Sequence, residues 1–394
     1  MKPETTVSFE DTAVAFQYKS DGAIRKANFI FSMVNHPFMS KLATGAVRLA
    51  LNLRLPVEGI IRKTAFDHFC GGENIEETSA SSATLARYGV QTILDYSVEG
   101  EKSEEGFDRT MEETIRTIEK AHHSKTIPFS VFKVTGIAST EVLEKVQQKI
   151  QLSHEEHKAF ELVRHRVDNI CRKAHAYGVP VLVDAEETWI QDTIDDLAYE
   201  MMAKYNREKA IVFNTYQLYR TASLDNLKAS YEEALKHHYF LGAKLVRGAY
   251  MEKERARAAA KGYASPIQPD KGATDRAFDA ALEFCVGHHG YITTMCGSHN
   301  EISNQYLTTL MEKKGLQPND VHMWFAQLYG MSDNISFNLA KAGYNVAKYV
   351  PYGPVRSVMP YLLRRAAENT SVAGQSSREL VLIRKELQRR RNGR

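Results

Sequence analysis

From about residue 89 onward, short apolar runs rich in β-branched residues alternate with longer stretches whose apolar positions recur every three to four residues. The runs predict strands at Val90 to Asp95, Phe129 to Val134, Val179 to Asp184, Ile211 to Thr215, Ala243 to Arg247, Ile292 to Cys296, Val321 to Ala326 and Val346 to Val350. The stretches between them predict amphipathic helices, with Met111, Ile115 and Ile118 on one face, or Leu162, Val163, Val167 and Ile170. Near-continuous apolar strands separated by helices mark parallel β-α-β units with both sheet faces covered. Eight such units imply an α/β fold closed as a (β/α)8, TIM-type barrel, although a doubly wound sheet has the same local pattern.

Residues 1–85 read as a helical N-terminal extension. The stretch from Asn28 to Leu55 is rich in Phe, Met, Leu and Ala and reads as packing surface, with Leu55-Pro56 ending a helix. Gly71-Gly72 marks a break, and Ser79 to Ser82 forms a polar entry to the next segment. The barrel then occupies 86–370. Ser371 to Ser377 is small and polar and predicts a loop, after which Arg378 to Arg391 returns to a helical pattern with Leu380, Ile383 and Leu387 on one stripe. The basic end, Arg389-Arg390-Arg391, reads as a solvated tail, with contact to an anionic membrane surface as the alternative.

At 394 residues and 43% hydrophobic, the chain can bury a large core. A formal net charge of +3 gives no overall field directed at nucleic acid. Cys70, Cys171, Cys285 and Cys296 are scattered without metal or disulfide spacing, which points to a reducing compartment. His154-Glu155-Glu156-His157 lacks the HExxH spacing and reads as surface helix, so no metal site is expected. GxGxxG, GxxxxGK[ST] and GxSxG are all absent. No apolar run is long enough to span a membrane, and acidic residues near the start argue against a targeting segment, which together suggest a cytoplasmic protein.

In a (β/α)8 barrel, chemistry sits at the C-terminal ends of the strands. Here those ends are unusually polar: Lys133-Val134-Thr135-Gly136, Asp184-Ala185-Glu186-Glu187, Asn214-Thr215-Tyr216-Gln217, Gly297-Ser298-His299-Asn300, Gln327-Leu328-Tyr329-Gly330 and Tyr349-Val350-Pro351-Tyr352-Gly353. In Lys244-Leu245-Val246-Arg247-Gly248-Ala249-Tyr250, alternation sends Lys244 and Val246 to one side and Leu245 and Arg247 to the other. Farther on, Tyr361, Arg364, Arg365 and Glu368 fall at i, i+3, i+4 and i+7, a spacing that normally carries a buried apolar stripe. Two adjacent guanidinium groups, whose planar forks grip carboxylates with paired hydrogen bonds, predict a site for a small anionic ligand. Taken alone, each element also fits a plain structural role: Lys133 with Asp184 as a buried ion pair, His299 as a loop histidine, and RRxxE as a solvated face.

Together, Lys133, the Asp184 tetrad, Lys244 to Tyr250, Ser298-His299-Asn300, Tyr349 and the YLxRRxxEN stretch from Tyr361 to Asn369 resemble the proline dehydrogenase family. The resemblance runs from about Tyr88 to Asn369. It implies a distorted (β/α)8 barrel with noncovalent FAD, a final helix bearing the substrate-binding arginines, and oxidation of L-proline to 1-pyrroline-5-carboxylate with electrons passed to a quinone at a membrane. It places Lys133, Asp184 and Lys244 at the reacting face. Lys244 stands where bifunctional bacterial members carry arginine, a departure that resembles the eukaryotic type. Arg364 and Arg365 would hold the substrate carboxylate, Glu368 would orient an arginine, and Tyr349, Tyr361 and Leu328 would wall the ring. FAD would be met by Val246, Arg247, Gly248, Ala249 and Tyr250, by Lys271 and Thr274, by Ser298, His299 and Asn300, by Gln327 within one position, and by Asn214 with Gln217 as the alternative. Peripheral attachment to an inner membrane, mitochondrial in a trimmed eukaryotic protein, would follow. Two other readings are a 4-hydroxyproline dehydrogenase, against which the bulk of Tyr349 argues, and a non-catalytic anion-binding barrel.

Overall fold

A computed structural model describes residues 7–36, 45, 58–98, 100–371 and 375–393, with side chains in the helix at 355–371 as far as Arg364. The eight strands are β1 Val90–Tyr96, β2 Phe129–Lys133, β3 Val181–Asp184, β4 Val212–Gln217, β5 Leu241–Val246, β6 Ile292–Gly297, β7 Met323–Leu328 and β8 Val346–Tyr352. They hydrogen-bond in chain order as a closed barrel, which decides against the doubly wound sheet. The chain divides into two compact units, residues 100–326 and residues 1–99 with 327–394.

In the unit 100–326, register fixes which side chains share a face. Lys133 pairs with Asp184, Thr215 with Lys244, Lys244 with Met295, and Gly297 with Ala326. Parallel partners point the same way, so these residues line one side of the sheet, and residues two positions before or after them line it too. At the N-terminal end of that side, the Phe129 ring meets Phe213 and Trp324 edge to face, with centroids 5.5 and 5.0 Å apart. Gly242 makes room for this aromatic layer, since a Cβ there would lie 2.5 Å from the Val212 carbonyl oxygen and 2.6 Å from the Phe213 ring.

The helices of this unit are closed by local signals. Ser153 and Glu156 form a capping box at the start of His154–Tyr177, and Gly178, with φ +64°, ends it in the left-handed conformation. The buried face of Glu104–His122 differs from the predicted stripe: Ile118 is buried, but Met111 and Ile115 are half-buried, and Thr110, Thr114 and Thr117 take the inner positions. Their hydroxyls donate to carbonyls three or four residues back, so their methyl groups can pack without an unsatisfied oxygen. Arg166, buried in the stripe of the following helix, is held by Asp108, Glu104 and the Ile137 carbonyl.

In the other unit, β1 and β8 pair in register from Val90↔Val346 to Tyr96↔Tyr352. The helix Asp21–Val34 and the helix Gln375–Asn392 supply one apolar cluster, with Ile24, Ala27, Ile30 and Phe31 from the first and Leu380, Leu382 and Ile383 from the second. Leu387 packs against it half-buried. The glycine pair is required by close approach. The Gly71 amide donates to the Pro351 carbonyl at 2.8 Å, and a Cβ at either Gly71 or Gly72 would sit 2.4 Å from a neighbouring side chain. Ser79 to Ser82 lies inside the helix Thr78–Ala86 rather than before it, because Thr78 and Thr84 return their hydroxyls to preceding carbonyls and leave the backbone helical.

The basic tail is not free. Arg390 donates to Glu386, Asp21 and the carbonyls of Lys19 and Phe16, which corrects the reading of a solvated tail at that residue, whereas Arg389 and Arg391 are exposed as expected. The predicted helix end at Leu55-Pro56 lies outside the described residues, and the predicted loop from Ser371 to Ser377 is helical at 375–377 and outside them at 372–374.

Candidate active site

Three predicted residues converge at the C-terminal ends of β2, β3 and β5. Asp184 accepts from Lys244 Nζ at 2.5 Å on one carboxylate oxygen, and Lys133 Nζ lies 3.5 Å from the other. All three side chains are largely buried, with 15% of Asp184, 7% of Lys244 and 19% of Lys133 exposed. Burial pushes the Asp184 carboxyl up, but the ammonium groups of Lys244 and Lys133 outweigh it and hold the group below the usual carboxylate range. Asp184 is therefore an ionised bridge between two cations.

Two positions beyond Asp184, Glu186 is also buried. Its carboxylate accepts from the Thr135 amide at 2.9 Å and from the Thr135 hydroxyl, and its carbonyl accepts from Gln217 Nε2 at 2.7 Å. Burial drives this carboxyl up to about 7, opposed by the two Thr135 hydrogen bonds and reinforced by Glu187. Glu186 and Gln217 both belong to the polar strand ends, and the family resemblance assigns Glu186 no role. The signal that identifies it is alternation from Asp184.

The same alternation separates the two candidates on β4. Thr215 shares the face of Lys244, so Gln217 does too, whereas Asn214 points to the opposite face. Asn214 donates to Asp195 on the helix Thr188–Tyr205 at 2.7 Å, and Asp195 is itself pushed up to about 6 by burial. Asn214 thus ties strand to helix. Gln327 behaves likewise, accepting from Ser336 on the helix Asp333–Lys341 at 2.8 Å. Leu328, one position on, takes the other side of β7 and packs half-buried against a cluster containing Tyr361.

Beyond Lys244 and Met295, the next residues on that face are small: Val246, Gly297 and Ala326. A Cβ on Gly297 would stand only 3.0 Å from Val246. A flat apolar patch beside Lys133, Asp184, Lys244 and Gln217 fits a planar, partly polar ring such as that of a flavin.

Arg247 takes the helix side, as alternation predicted. It donates to Asp275 at 2.8 Å, to Ser298 at 2.9 Å and to Ser303 at 2.9 Å, with its guanidinium 4.5 Å from the Phe278 ring centroid. Asp275 also takes Lys271 at 2.5 Å, and Ser298 accepts the Asn300 amide at 3.1 Å. Arg247, Lys271, Ser298 and Asn300 therefore form one polar group. Thr274 is buried on the first turn of the helix Lys271–Gly287, and Asn300 caps Glu301–Lys313. His299 is half-buried between Ser298 and Asn300. Gly248 has φ +135° and would drive a Cβ to 2.4 Å from the Tyr219 ring, so only glycine fits there. Ala249 and Tyr250 follow it half-buried, with Tyr250 at the start of the helix Met251–Lys261.

In the unit 1–99 with 327–394, Tyr349 is 6% exposed on β8 and Tyr361 is 3% exposed on the helix Val355–Ser371. The Arg364 guanidinium lies 5.9 Å from the Tyr361 ring centroid. The side chains of Arg365 and Glu368 lie outside the described residues. Among the described residues, no helix is long and apolar enough to cross a membrane.

The family model for proline dehydrogenase matches residues 78–378. Mitochondrial proline dehydrogenase 1 of Dictyostelium discoideum is 33% identical over 96% of this chain and 74% of its own length. The human mitochondrial proline dehydrogenase 1 is 46% identical over 57% of this chain and 38% of its own. The carbapenem antibiotics biosynthesis protein CarD of Pectobacterium carotovorum is 36% identical over 82% of this chain and 83% of its own. In fold, the chain superposes on proline utilization A from Bdellovibrio bacteriovorus with a TM-score of 0.71 at 19% identity, covering 93% of this chain and 37% of that much longer one.

Proposed function

The chain belongs to the proline dehydrogenase family and oxidises L-proline, and from that premise we propose which of its residues do the work and with which cofactor. The observation that carries the proposal is Asp184 held ionised between Lys133 and Lys244 at the ends of three barrel strands. FAD, when bound, supplies the hydride acceptor for the proline carbon beside nitrogen, and 1-pyrroline-5-carboxylate is the product.

The residues of the chain bind and orient. Arg364 and Arg365 take the proline carboxylate through paired N–H donors, and Glu368 holds an arginine in place. Tyr349, Tyr361 and Leu328 wall the ring and exclude water. The bulk of Tyr349 disfavours a 4-hydroxyl group, which sets proline ahead of 4-hydroxyproline. Lys133, Asp184 and Lys244 fix the charges around the reacting atoms before substrate arrives, so no reorganisation is needed during transfer. The isoalloxazine would be held at Val246 with Gln217 as its amide contact, and the group of Arg247, Lys271, Ser298 and Asn300, with Gly248, Ala249, Tyr250, Thr274 and His299, would take the phosphates and nucleotide end.

Electrons pass onward to a quinone through peripheral contact with a membrane. The N-terminal helical region 1–85 and the terminal segment 371–394 flank a catalytic barrel at 86–370. Anaerobic addition of L-proline to the purified flavin-loaded protein tests this reading. The visible flavin band should bleach; a colourless protein that retains no FAD when supplied with it, or a flavin band indifferent to L-proline, overturns it.

A further inference from the structure

We infer that Glu379, on the C-terminal helix, is a positioning residue for the proline pocket, acting with Lys348 and His68 to hold the turn of residues 328–332 that carries Leu328. The inference rests on the reading of Leu328 and Tyr349 as substrate contacts.

This turn follows β7 and is tied to β8, since the Tyr329 amide donates to the Tyr349 carbonyl at 2.8 Å. Its other backbone groups are met by buried side chains drawn from far along the chain. Lys348 Nζ donates to the carbonyls of Leu328 at 3.2 Å and Met331 at 2.6 Å, and His68 Nε2 donates to the Gly330 carbonyl at 3.0 Å. Glu379 accepts the Ser332 amide at 3.0 Å. Asp333 completes the cluster, lying 2.9 Å from Lys348 and 2.8 Å from Lys19 and accepting the Tyr18 hydroxyl at 2.8 Å.

The turn needs such support because its backbone is strained. Gly330 takes φ +76° without cost, and its lack of a Cβ, which would lie 2.3 Å from the His68 carbonyl oxygen, lets the turn pack closely, so the strain falls on the next non-glycine residue in this conformation. Ser332 has φ +50°, a left-handed conformation unfavourable for a residue with a side chain. Such a conformation persists only where its surroundings over-determine it. Removing the Glu379 acceptor takes a buried hydrogen bond from the Ser332 amide and frees the turn to relax. Leu328 at one end of the turn and the Tyr349 carbonyl bonded to Tyr329 are then displaced together. The loss is therefore expected in proline binding, while the residues grouped around Asp184 and Arg247 are untouched.

The test uses the full-length, flavin-loaded protein and steady-state kinetics with L-proline and a dye acceptor, alongside the flavin-to-protein ratio. Glu379→Ala should raise KM about tenfold, with kcat within about twofold and flavin retained. Glu379→Gln, whose amide oxygen still accepts from Ser332, should stay near wild type. Adding Ser332→Gly to Glu379→Ala should recover much of the KM, because glycine removes the strain. Should Glu379→Ala fail to fold, Glu379→Asp, which keeps the carboxyl but falls short of Ser332, is expected to raise KM in its place. Leu328→Ala serves as the control. A raised KM in Leu328→Ala with a wild-type KM in Glu379→Ala would overturn the role of Glu379 alone, whereas a wild-type KM in Leu328→Ala overturns the pocket reading beneath it. Loss of flavin and kcat in step with KM would show a general structural role and also refute the inference.

Discussion

Replacing Glu186 by glutamine should stabilise the protein at pH 8 and leave it nearly unchanged at pH 5. Burial lifts the carboxyl from its ordinary 4.5 to about 7, so between these values the folded state binds more protons than the unfolded state. Stability contributed at this site therefore falls as pH rises through that window, at about 1.4 kcal/mol per pH unit. By pH 8 the accumulated cost of holding an ionised Glu186 is roughly 3 kcal/mol, an upper figure because water entering around the group would reduce it. Glutamine keeps the acceptor for the Thr135 amide, and the Thr135 hydroxyl can turn to accept from the new amide group. The backbone carbonyl that anchors Gln217 is unaltered. Urea denaturation at pH 5 and pH 8 reads the difference directly, with a gain of about 1–3 kcal/mol expected at the higher pH only. An equal change at both pH values, or a loss at pH 8 larger than at pH 5, would mean that Glu186 is not a carboxyl raised by burial.

Three further outcomes follow from the geometry. Asp184→Ala leaves Lys133 and Lys244 without their shared carboxylate and should destabilise the protein by about 3 kcal/mol, while slowing single-turnover flavin reduction by L-proline about 100-fold; unchanged reduction would remove Asp184 from the site. Gly242→Ala forces a Cβ against the Val212 carbonyl and the Phe213 ring and should cost about 1–3 kcal/mol by urea midpoint, with a wild-type midpoint refuting the packing argument. Gln217→Leu should shift the flavin absorption band and weaken flavin retention, whereas Asn214→Leu should lower stability with the band unmoved; the reverse pattern would restore Asn214 as the cofactor contact.

The strands were legible because each is buried along nearly its whole length, so composition alone marks them: all seven residues of β8 are buried, as are all six of β4. Their ends were less so. The seventh was expected from Val321 to Ala326 but runs from Met323 to Leu328, because Val321 is 70% exposed and the apolar run does not mark where pairing begins. Helix faces were misjudged where threonine occupies core positions, since a hydroxyl satisfied by its own helix is invisible to a hydropathy pattern. The cluster of Lys133, Asp184 and Lys244 was foreseeable as three polar residues closing three apolar strands. The facing of Asn214 and Gln217 is a matter of parity that only the β4–β5 register supplies: every second residue faces the Lys244 side.

The charges near both ends of the chain show a different limit. A local pattern records which side of an element is buried, but not what will lie against it. Tyr18 and Asp333 are 315 residues apart in sequence, and Arg390 and Asp21 are 369 apart, yet both pairs are hydrogen-bonded. Pairing of β1 with β8 belongs to the same compact unit as both chain ends, so Arg390, which the sequence places in a solvated tail, finds Asp21 as a partner. The buried Asp333 depends on this, because burial opposes its ionisation while Lys19 and Lys348 hold it well below the usual carboxylate range. Lys348 comes from the barrel and Lys19 from the N-terminal extension, while Glu379 of the C-terminal helix holds the neighbouring Ser332 amide. The segments outside the eight strands are therefore part of what keeps a charged barrel residue stable, and the turn after β7 inherits its geometry from them.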